Sequence, residues 1–400
     1  MHRIWKKVDR TIWSRSLTLF AVAVFLDRFG QGLLGGARMN FFVETLGLSN
    51  NQILWLEGIR EVPGLALIFL AAFTMHLPLA WQGVISLLLM GVGYALQVFV
   101  GSYTGLLAMA IIASFGFHLW VPLNHAIGMS LSGKKNTGRI LGVLASVGSL
   151  AGIVGMAALS LLSKILEALP LGAYFLIGGA FIVFSALFVA KLPMDLGATE
   201  VKPARILVKR RYWLYYVLIF LSGARKLVLG SFVTLVLVQN YDMHVWEVST
   251  LMLVSGVLNL LVSPVMGALI DFSGERLTTT ASYVILALCC VGYATVSNLW
   301  VLLVLWTLIK LVMPLGMGLS TYVYRTAPPE ELTPTLTAGV TFDHISSVGV
   351  PFLASAALPV IQYSGIFLAT AVLILLSIPF AWALQVQAPP VLQMATVAGE

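Results

Sequence analysis

Residues 21–42, AVAVFLDRFGQGLLGGARMNFF, form an apolar run that contains Asp27, Arg28 and Arg38. A helix rises about 1.5 Å per residue and the hydrocarbon core of a bilayer is about 30 Å thick, so a helix that enters near residue 16 reaches the midplane close to Asp27. An ionisable side chain costs roughly 2.5 to 3.5 kcal/mol there and usually faces a protein interior or a water-filled path. Asp27 and Arg28 therefore have either a functional role or a structural one, as a pair that holds helices together.

Four glycines lie in the same segment, and Gly32 and Gly36 are one helical turn apart. Small residues at this spacing let a second helix approach closely. We therefore expect a helix contact on this face.

The composition predicts a polytopic membrane protein. Of the 400 residues, 59% are hydrophobic and only 10% are charged, with a mean hydropathy of +0.97, whereas soluble domains carry about 25% charged residues. The net charge is +7, and the basic residues lie mostly in short loops, where membrane orientation explains them. No nucleic-acid partner is therefore expected. Cys289 and Cys290 are adjacent within an apolar run, which predicts neither a disulfide framework nor a metal site.

Apolar segments of spanning length divide the chain into six plus six, and we therefore expect an all-α fold of 12 transmembrane helices. The polar connection 193–211 predicts a linker between an N-terminal bundle, residues 1–192, and a C-terminal bundle, residues 212–400. The predicted spans are residues 16–43, 52–75, 80–100, 103–131, 138–162, 171–192, 212–238, 245–270, 277–296, 299–323, 336–360 and 365–384.

The loop charges predict the orientation. With the N-terminus in the cytoplasm, almost every basic loop residue falls on the cytoplasmic side and only Lys164 on the other. We therefore expect both termini and the 193–211 linker in the cytoplasm, and a location in the cell (inner) membrane.

The six-plus-six pattern with a basic central loop resembles the major facilitator superfamily. The best local match follows the eighth span, where GALIDFSGER, residues 267–276, resembles the gating motif G-x-L-x-D-x-x-G-R-[KR]. Gly267, Asp271, Gly274 and Arg276 match, and Glu275 departs from the basic consensus. The resemblance implies that Asp271 caps a helix end and pairs across a cytoplasmic gate; Gly267 would permit close packing. The alternative is an ordinary polar turn.

In that family spans 1, 4, 7 and 10 line a central cavity, so the resemblance implies a cavity rich in positive charge. Arginine presents a planar fork that matches carboxylate or phosphate, which favours an anionic or zwitterionic substrate. The candidate substrate-binding residues are Arg28, Gln31, Arg38, His118, Asn124, Arg225, Lys226 and Lys310.

Five residues are candidates for proton coupling, because they are ionisable and lie in or near spans. They are Asp27, Glu57, Glu61, Asp343 and His344. Glu57, Arg60 and Glu61 have an alternative role as a buried ionic network, and one of Arg225 and Lys226 has an alternative role as the partner of acids in neighbouring helices. His118 and His125 lack the close ligand spacing of a zinc site, so no metal is expected.

These observations predict a secondary active transporter that works by alternating access. The chain has no G-x-x-x-x-G-K-[ST] sequence and no nucleophile–base constellation, so we expect neither ATP use nor an enzyme. The alternatives are an exporter of lipophilic drugs and a non-transporting assembly or receptor protein. The expected partners are the bilayer, a small-molecule substrate and a coupling proton or ion; we expect a monomer without a cofactor.

Overall fold

The computed structural model describes residues 13–67, 74, 76–132, 137–166, 169–196 and 208–385. Within these residues the regular elements are helices, which confirms the all-α prediction. The basic residues before Trp13, much of the predicted linker and the end of the second predicted span lie outside the described residues.

We number the helical segments α1 to α12. The first six are α1 (Arg15–Thr45), α2 (Asn50–Leu65), α3 (Leu79–Phe99), α4 (Tyr103–Ser130), α5 (Thr137–Ile165) and α6 (Leu171–Val189). They are followed by α7 (Arg210–Tyr241), α8 and α9 (Val245–Thr295, before and after Gly274), α10 (Leu299–Thr326), and α11 and α12 (Pro329–Trp382, before and after Gln362).

The described segments are compatible with the twelve predicted spans. Among the described residues, nine helices are long and apolar enough to cross a membrane, and α2 adds a tenth segment whose downstream end is not described. Two of the nine are broken by a residue with non-helical torsions, at Gly274 and at Gln362. The chain is therefore a multi-pass integral membrane protein.

Polar side chains at the loops fix where several helices begin. Ser102 starts α4 by accepting a hydrogen bond from the Gly105 amide at 3.1 Å, and Asn298 starts α10 by accepting one from the Val301 amide at 3.3 Å. These bonds satisfy amides that have no partner inside the helix.

α7 and α10 each change their winding partway along the helix. α7 contains a π-helical turn at Val228–Phe232. α10 contains a 3₁₀ turn at Met313–Gly316, in which Pro314 is the second residue. Such turns release backbone carbonyls from the regular α-helical bonding and often occur at functional sites.

The chain contains two compact units. One comprises Met1–Arg38 and Ala66–Val201, and the other comprises Met39–Leu65 and Lys202–Glu400. The second unit thus includes the end of α1 and all of α2 together with α7 to α12. The predicted division at the 193–211 linker stays a prediction.

The first unit is held together by close packing at glycines. A Cβ placed on Gly32 would lie 2.6 Å from the Gly152 carbonyl oxygen, and one on Gly30 would lie 3.0 Å from Ile182 Cγ1. α1 therefore packs directly on α5 and α6. The expected helix contact at Gly32 is confirmed.

In the second unit α11 and α12 pack against α2, α7 and the α8–α9 pair. The core between them is aromatic: Phe232 of α7 lies 5.6 Å from Phe367 of α12, and Phe367 lies 5.0 Å from Tyr293 of α9, measured between ring centroids. Burial of such rings supplies much of the packing contact between helices.

Candidate functional site

Asp27 lies fully buried in the first unit, where its carboxylate is surrounded by donors. It accepts hydrogen bonds from Trp120 Nε1 of α4 at 2.9 Å and from Gln31 Nε2 at 2.7 Å. Arg28 Nε lies 3.8 Å away. Sequence analysis missed Trp120, because an indole in an apolar span gives no signal of the acid it will meet 93 residues away in the chain.

Arg28 differs from Asp27 in its exposure. Its side chain is 36% exposed and passes α5 at Gly148, where a Cβ would lie 3.3 Å from Arg28 Cγ. The small residue on α5 therefore leaves room for the arginine stem. Arg28 can thus reach beyond the bundle core while Asp27 cannot.

The other candidates of the first unit lie on α1 and α4. His118 Nδ1 lies 3.0 Å from Ser114 Oγ and 2.9 Å from the Ser114 carbonyl oxygen, one turn earlier in the same helix. Gln31, Arg38 and Asn124 are half-buried. Of these three residues, Gln31 is the one that donates a hydrogen bond to Asp27.

The second unit brings four predicted residues together. Lys226 Nζ lies 2.8 Å from Glu61 Oε2 and 3.5 Å from Asp343 Oδ2. His344 Nδ1 lies 3.1 Å from the same Glu61 oxygen. This cluster, which we call the ionic cluster, joins α2, α7 and α11 and balances one permanent cation against two acids.

Glu57 lies one turn from Glu61 but has separate partners. Its carboxylate accepts hydrogen bonds from Arg60 Nη1 at 2.8 Å and from Ser231 Oγ of α7 at 3.1 Å. Ser231 belongs to the π-helical turn. Glu57 and Arg60 therefore form the local ion pair that the network interpretation predicted.

Arg225, next to Lys226, makes different contacts. Its side chain is buried and its guanidinium carbon lies 4.0 Å from the centroid of the Tyr283 ring. Arg225 Nη1 is buried without a hydrogen-bond partner among the described residues. Of the two adjacent basic residues, Lys226 is the one paired with acids and Arg225 has a free donor.

Lys310 of α10 is bound to the backbone of α7. Its ammonium donates to the carbonyl oxygens of Leu229 and Gly230 at 3.0 and 2.8 Å. Both carbonyls belong to the π-helical turn, and the ammonium also lies 5.1 Å from the Trp306 ring centroid. The structure thus gives Lys310 a structural contact that the sequence did not reveal, because the π-helical turn leaves no visible sequence pattern.

The gating motif lies at the break between α8 and α9. Gly274 has φ +77°, which favours glycine. Asp271 Oδ1 lies 2.7 Å from Arg325 Nη2 of α10. The close packing expected at Gly267 is wrong within the described part of the chain, because a Cβ there would have no heavy atom within 4 Å.

The two residues after Gly274 also have partners. Glu275, which departs from the consensus, is buried and lies 3.1 Å from Arg325 Nε. Arg276 places its guanidinium 3.9 Å from the Trp382 ring centroid. Arg325 therefore joins one exposed and one buried acid at this break, and the sequence motif indicated only the exposed one.

Comparison with known proteins agrees with this architecture. Residues 214–396 match the family model described as the Major Facilitator Superfamily. A mutant of the nucleoside transporter NupG has the same fold over 92% of this chain and 100% of its own, with a TM-score of 0.76 and 15% identity. The C-terminal part of the chain therefore matches the major facilitator superfamily in sequence, and the chain shares its fold with transporters of known structure.

Other superfamily structures share the fold at low identity. A POT family transporter in complex with 5-aminolevulinic acid is 10% identical, over 92% of this chain and 94% of its own, with a TM-score of 0.71. The human organic anion transporter MFSD10 is 15% identical, over 92% and 99%, with a TM-score of 0.58. No curated protein sequence matches the chain. These likenesses establish a transporter fold and leave the subfamily undetermined.

Proposed function

We propose that the whole chain is a member of the major facilitator superfamily, a secondary active transporter that works by alternating access and moves a small organic solute with an anionic group. The fold supports transport as the class of function. Ionisable residues within membrane spans support it further, because such residues are costly unless they serve a pathway or a partner.

The observation that carries the choice of solute is Arg225. A guanidinium has five donors and no acceptor, and this one is buried on a tyrosine ring with Nη1 unpaired. No ion pair joins it to a carboxylate in the described part of the chain. A buried cation is strongly favoured by a counter-charge, and a substrate carboxylate fits the planar fork of arginine.

The ionic cluster supports a proton as the coupling ion. Glu61 faces both Lys226 and His344, so one carboxylate joins a permanent cation and an imidazole, and both the carboxylate and the imidazole can carry a proton. Displacement of Lys226 towards Asp343 would release Glu61 to take up a proton. We propose this exchange as the coupling step.

The structural neighbours do not decide the solute. By their descriptions one is a nucleoside transporter, one is an organic anion transporter and one was crystallised in complex with 5-aminolevulinic acid. The charge of the solute must therefore be tested on this chain directly. Its proposed location is the inner membrane, with both termini in the cytoplasm.

The test uses three solutes of one skeleton, butyrate, butyramide and butylamine, so that charge is the main variable. Purified protein in vesicles should accumulate butyrate faster than protein-free vesicles do when the same proton gradient is imposed, because the neutral acid also crosses lipid unaided. Butyrate should also stabilise the protein against heating, since a ligand that binds only the folded state raises apparent stability. Arg225→Gln should abolish both effects, and Arg225→Lys should retain part of the binding.

The outcomes separate the alternatives. Accumulation of butylamine or of lipophilic cations instead would favour the drug exporter. Binding without accumulation of any solute would favour a receptor or assembly protein. Arg139→Gln is the matched control, because Arg139 is exposed.

A further inference from the structure

A cavity of about 250 Å³ lies in the second unit, at the end of the helices opposite the Gly274 break. Tyrosine and phenylalanine rings form much of its wall, with amide side chains beside them, and its described lining residues include no Asp, Glu, Lys, Arg or His. We propose that this cavity is a binding site for an uncharged small molecule with one flat ring. The proposal is independent of the proposed function. The lining residues that carry it are Tyr241, Tyr293, Tyr363, Phe367, Asn240 and Gln362.

The rings of the wall are held in place by their hydroxyl groups. Tyr241 Oη donates to the Ser297 carbonyl oxygen at 2.9 Å and Tyr293 Oη donates to the Leu302 carbonyl oxygen at 3.2 Å. Tyr363 Oη donates to Gln239 Oε1. Because these hydroxyls are already bonded to protein, the tyrosines offer a ligand their ring surfaces.

The amides, in contrast, are available. Asn240 and Gln362 are exposed, and neither side chain is hydrogen-bonded to another group among the described residues. Ring surfaces beside a few free amide donors and acceptors are the usual lining of a small-molecule site. An uncharged ligand could stack its ring on the aromatic side chains and bond a polar substituent to the amides.

The backbone at Gln362 gives an independent reason to regard the cavity as a site. Gln362 has φ 55° and ψ −172°, torsions that are almost confined to glycine. Strain of this kind persists where the surrounding structure enforces it, and it is concentrated at functional sites. Glycine would adopt these torsions without strain. The chain instead has glutamine at this position, and Gln362 lines the cavity.

The same residue borders a second cavity. This one measures about 460 Å³ and is lined by Gln362 and Tyr363 together with residues 49–51 at the start of α2. Gln362 therefore stands between two cavities, where its amide can reach a ligand from either side. The π-helical turn contributes by placing Phe232 5.0 Å from the Tyr363 ring.

Size and charge limit the ligand. A dry cavity of about 150 Å³ holds benzene, and drug-sized ligands occupy roughly 300 to 1,000 Å³. A volume near 250 Å³ thus suits a single substituted ring. A charged ligand would lose its hydration without gaining a counter-charge from the wall.

The probes are benzamide, benzoate and cyclohexanecarboxamide, which vary charge and ring flatness separately. Binding is measured by saturation-transfer NMR with purified protein in lipid nanodiscs and in detergent. Benzamide should bind at least 10-fold more tightly than either analogue, with the same affinity in both environments. Equal binding of benzoate, or no saturable binding of benzamide, would overturn the proposal and leave the rings as membrane-interface anchors.

Two substitutions at position 362 distinguish the effect of the side-chain amide on binding from the effect of the backbone strain on stability. Gln362→Gly should raise the unfolding temperature and weaken benzamide binding about 10-fold. Gln362→Ala should weaken benzamide binding equally without raising the unfolding temperature. Tyr324→Leu is the control, since Tyr324 is exposed and does not line the cavity. Unchanged benzamide binding in both Gln362 variants, or binding that disappears in nanodiscs, contradicts the proposed site.

Discussion

Lys226 and Arg225 are neighbours in the chain, yet their charges are compensated by different means. Successive residues of a helix point about 100° apart, so each meets a different helix. Lys226 meets the two acids of the ionic cluster, and Arg225 meets the face of Tyr283. Neutralising these two cations should therefore have different consequences for folding.

Lys226→Gln should destabilise the protein, because it leaves Glu61 and Asp343 facing each other without a cation. Removing one partner of a fully buried pair costs about 3 to 5 kcal/mol. The Lys226 side chain is 41% exposed, so we expect about 1 to 2 kcal/mol after solvent screening. Denaturant unfolding of the purified protein measures this loss, and Lys226→Gln combined with Glu61→Gln should recover part of it. A Lys226→Gln protein as stable as the parent would contradict the pairing.

At this scale the sequence predicted which residues carry charge within the membrane and some of their ion pairs, such as Glu57 with Arg60, but not their uncharged contacts. Depth follows from counting residues along a helix, so Asp27, Arg225 and Lys310 could be placed near the midplane. Besides Gln31 and Arg28, Asp27 contacts Trp120, whereas Arg225 contacts the Tyr283 ring and Lys310 contacts two backbone carbonyls, and these last contacts were not predicted. None of these last partners is an acid or a base, so no rule of charge pairing could have identified them.

At the scale of elements, the winding of a helix determines which polar groups need a partner. The π-helical turn in α7 presents the carbonyls of Leu229 and Gly230 to Lys310 of α10. It also carries Ser231, which bonds to Glu57 of α2. One irregular turn thus connects three helices through polar contacts.

Lys310→Met should destabilise this connection by about 1 to 3 kcal/mol, because it leaves two backbone acceptors without their donor. Lys310→Arg keeps donors at the position and should retain most of the stability. The free energy of unfolding in detergent measures both. Should Lys310→Met unfold like the parent while losing solute binding, Lys310 would be a substrate residue, as the sequence predicted.

The α1–α5 contact gives a matched pair of glycine substitutions. Gly32→Ala would place a methyl group 2.6 Å from the Gly152 carbonyl oxygen, which we expect to cost about 1 to 3 kcal/mol. Gly35→Ala meets no heavy atom within 4 Å and should stabilise the helix by up to about 1 kcal/mol. Thermal unfolding of the two variants checks the order. Equal effects would show that α1 and α5 separate readily at this point.

Two acids at the break between α8 and α9 are expected to have different roles, one in gating and one in stability. Asp271 is 75% exposed and Glu275 is 1% exposed at the side chain, although both pair with Arg325. Asp271→Ala should therefore change the unfolding free energy by less than about 1 kcal/mol while slowing transport with solute binding retained. Glu275→Ala should cost more stability, because it leaves Arg325 without its buried partner. Normal transport by Asp271→Ala would restore the ordinary-turn interpretation.

For the whole molecule, hydropathy predicted the membrane spans, and the distribution of charge in the loops predicted their orientation. Spans are long and continuous, so their number could be predicted and their ends placed approximately. The breaks at Gly274 and Gln362 fall between predicted spans. The contact of α2 with α11 and α7 through long-range packing and the ionic cluster is a property that hydropathy does not reveal.

The orientation of the molecule is the last prediction. Arg and Lys in short loops remain on the cytoplasmic side during insertion, and one span more or fewer would invert every later loop. Cysteine introduced at position 202 should react with a membrane-impermeant maleimide only after the cytoplasmic side is opened, and cysteine at position 242 should react in intact cells. Asp242 is exposed at the end of α7, so its label should not be blocked by packing. Cys289 and Cys290 are buried, and their replacement by alanine gives a background without reactive thiols. Reaction of position 202 from outside would place the linker on the opposite face and require an odd number of spans before it.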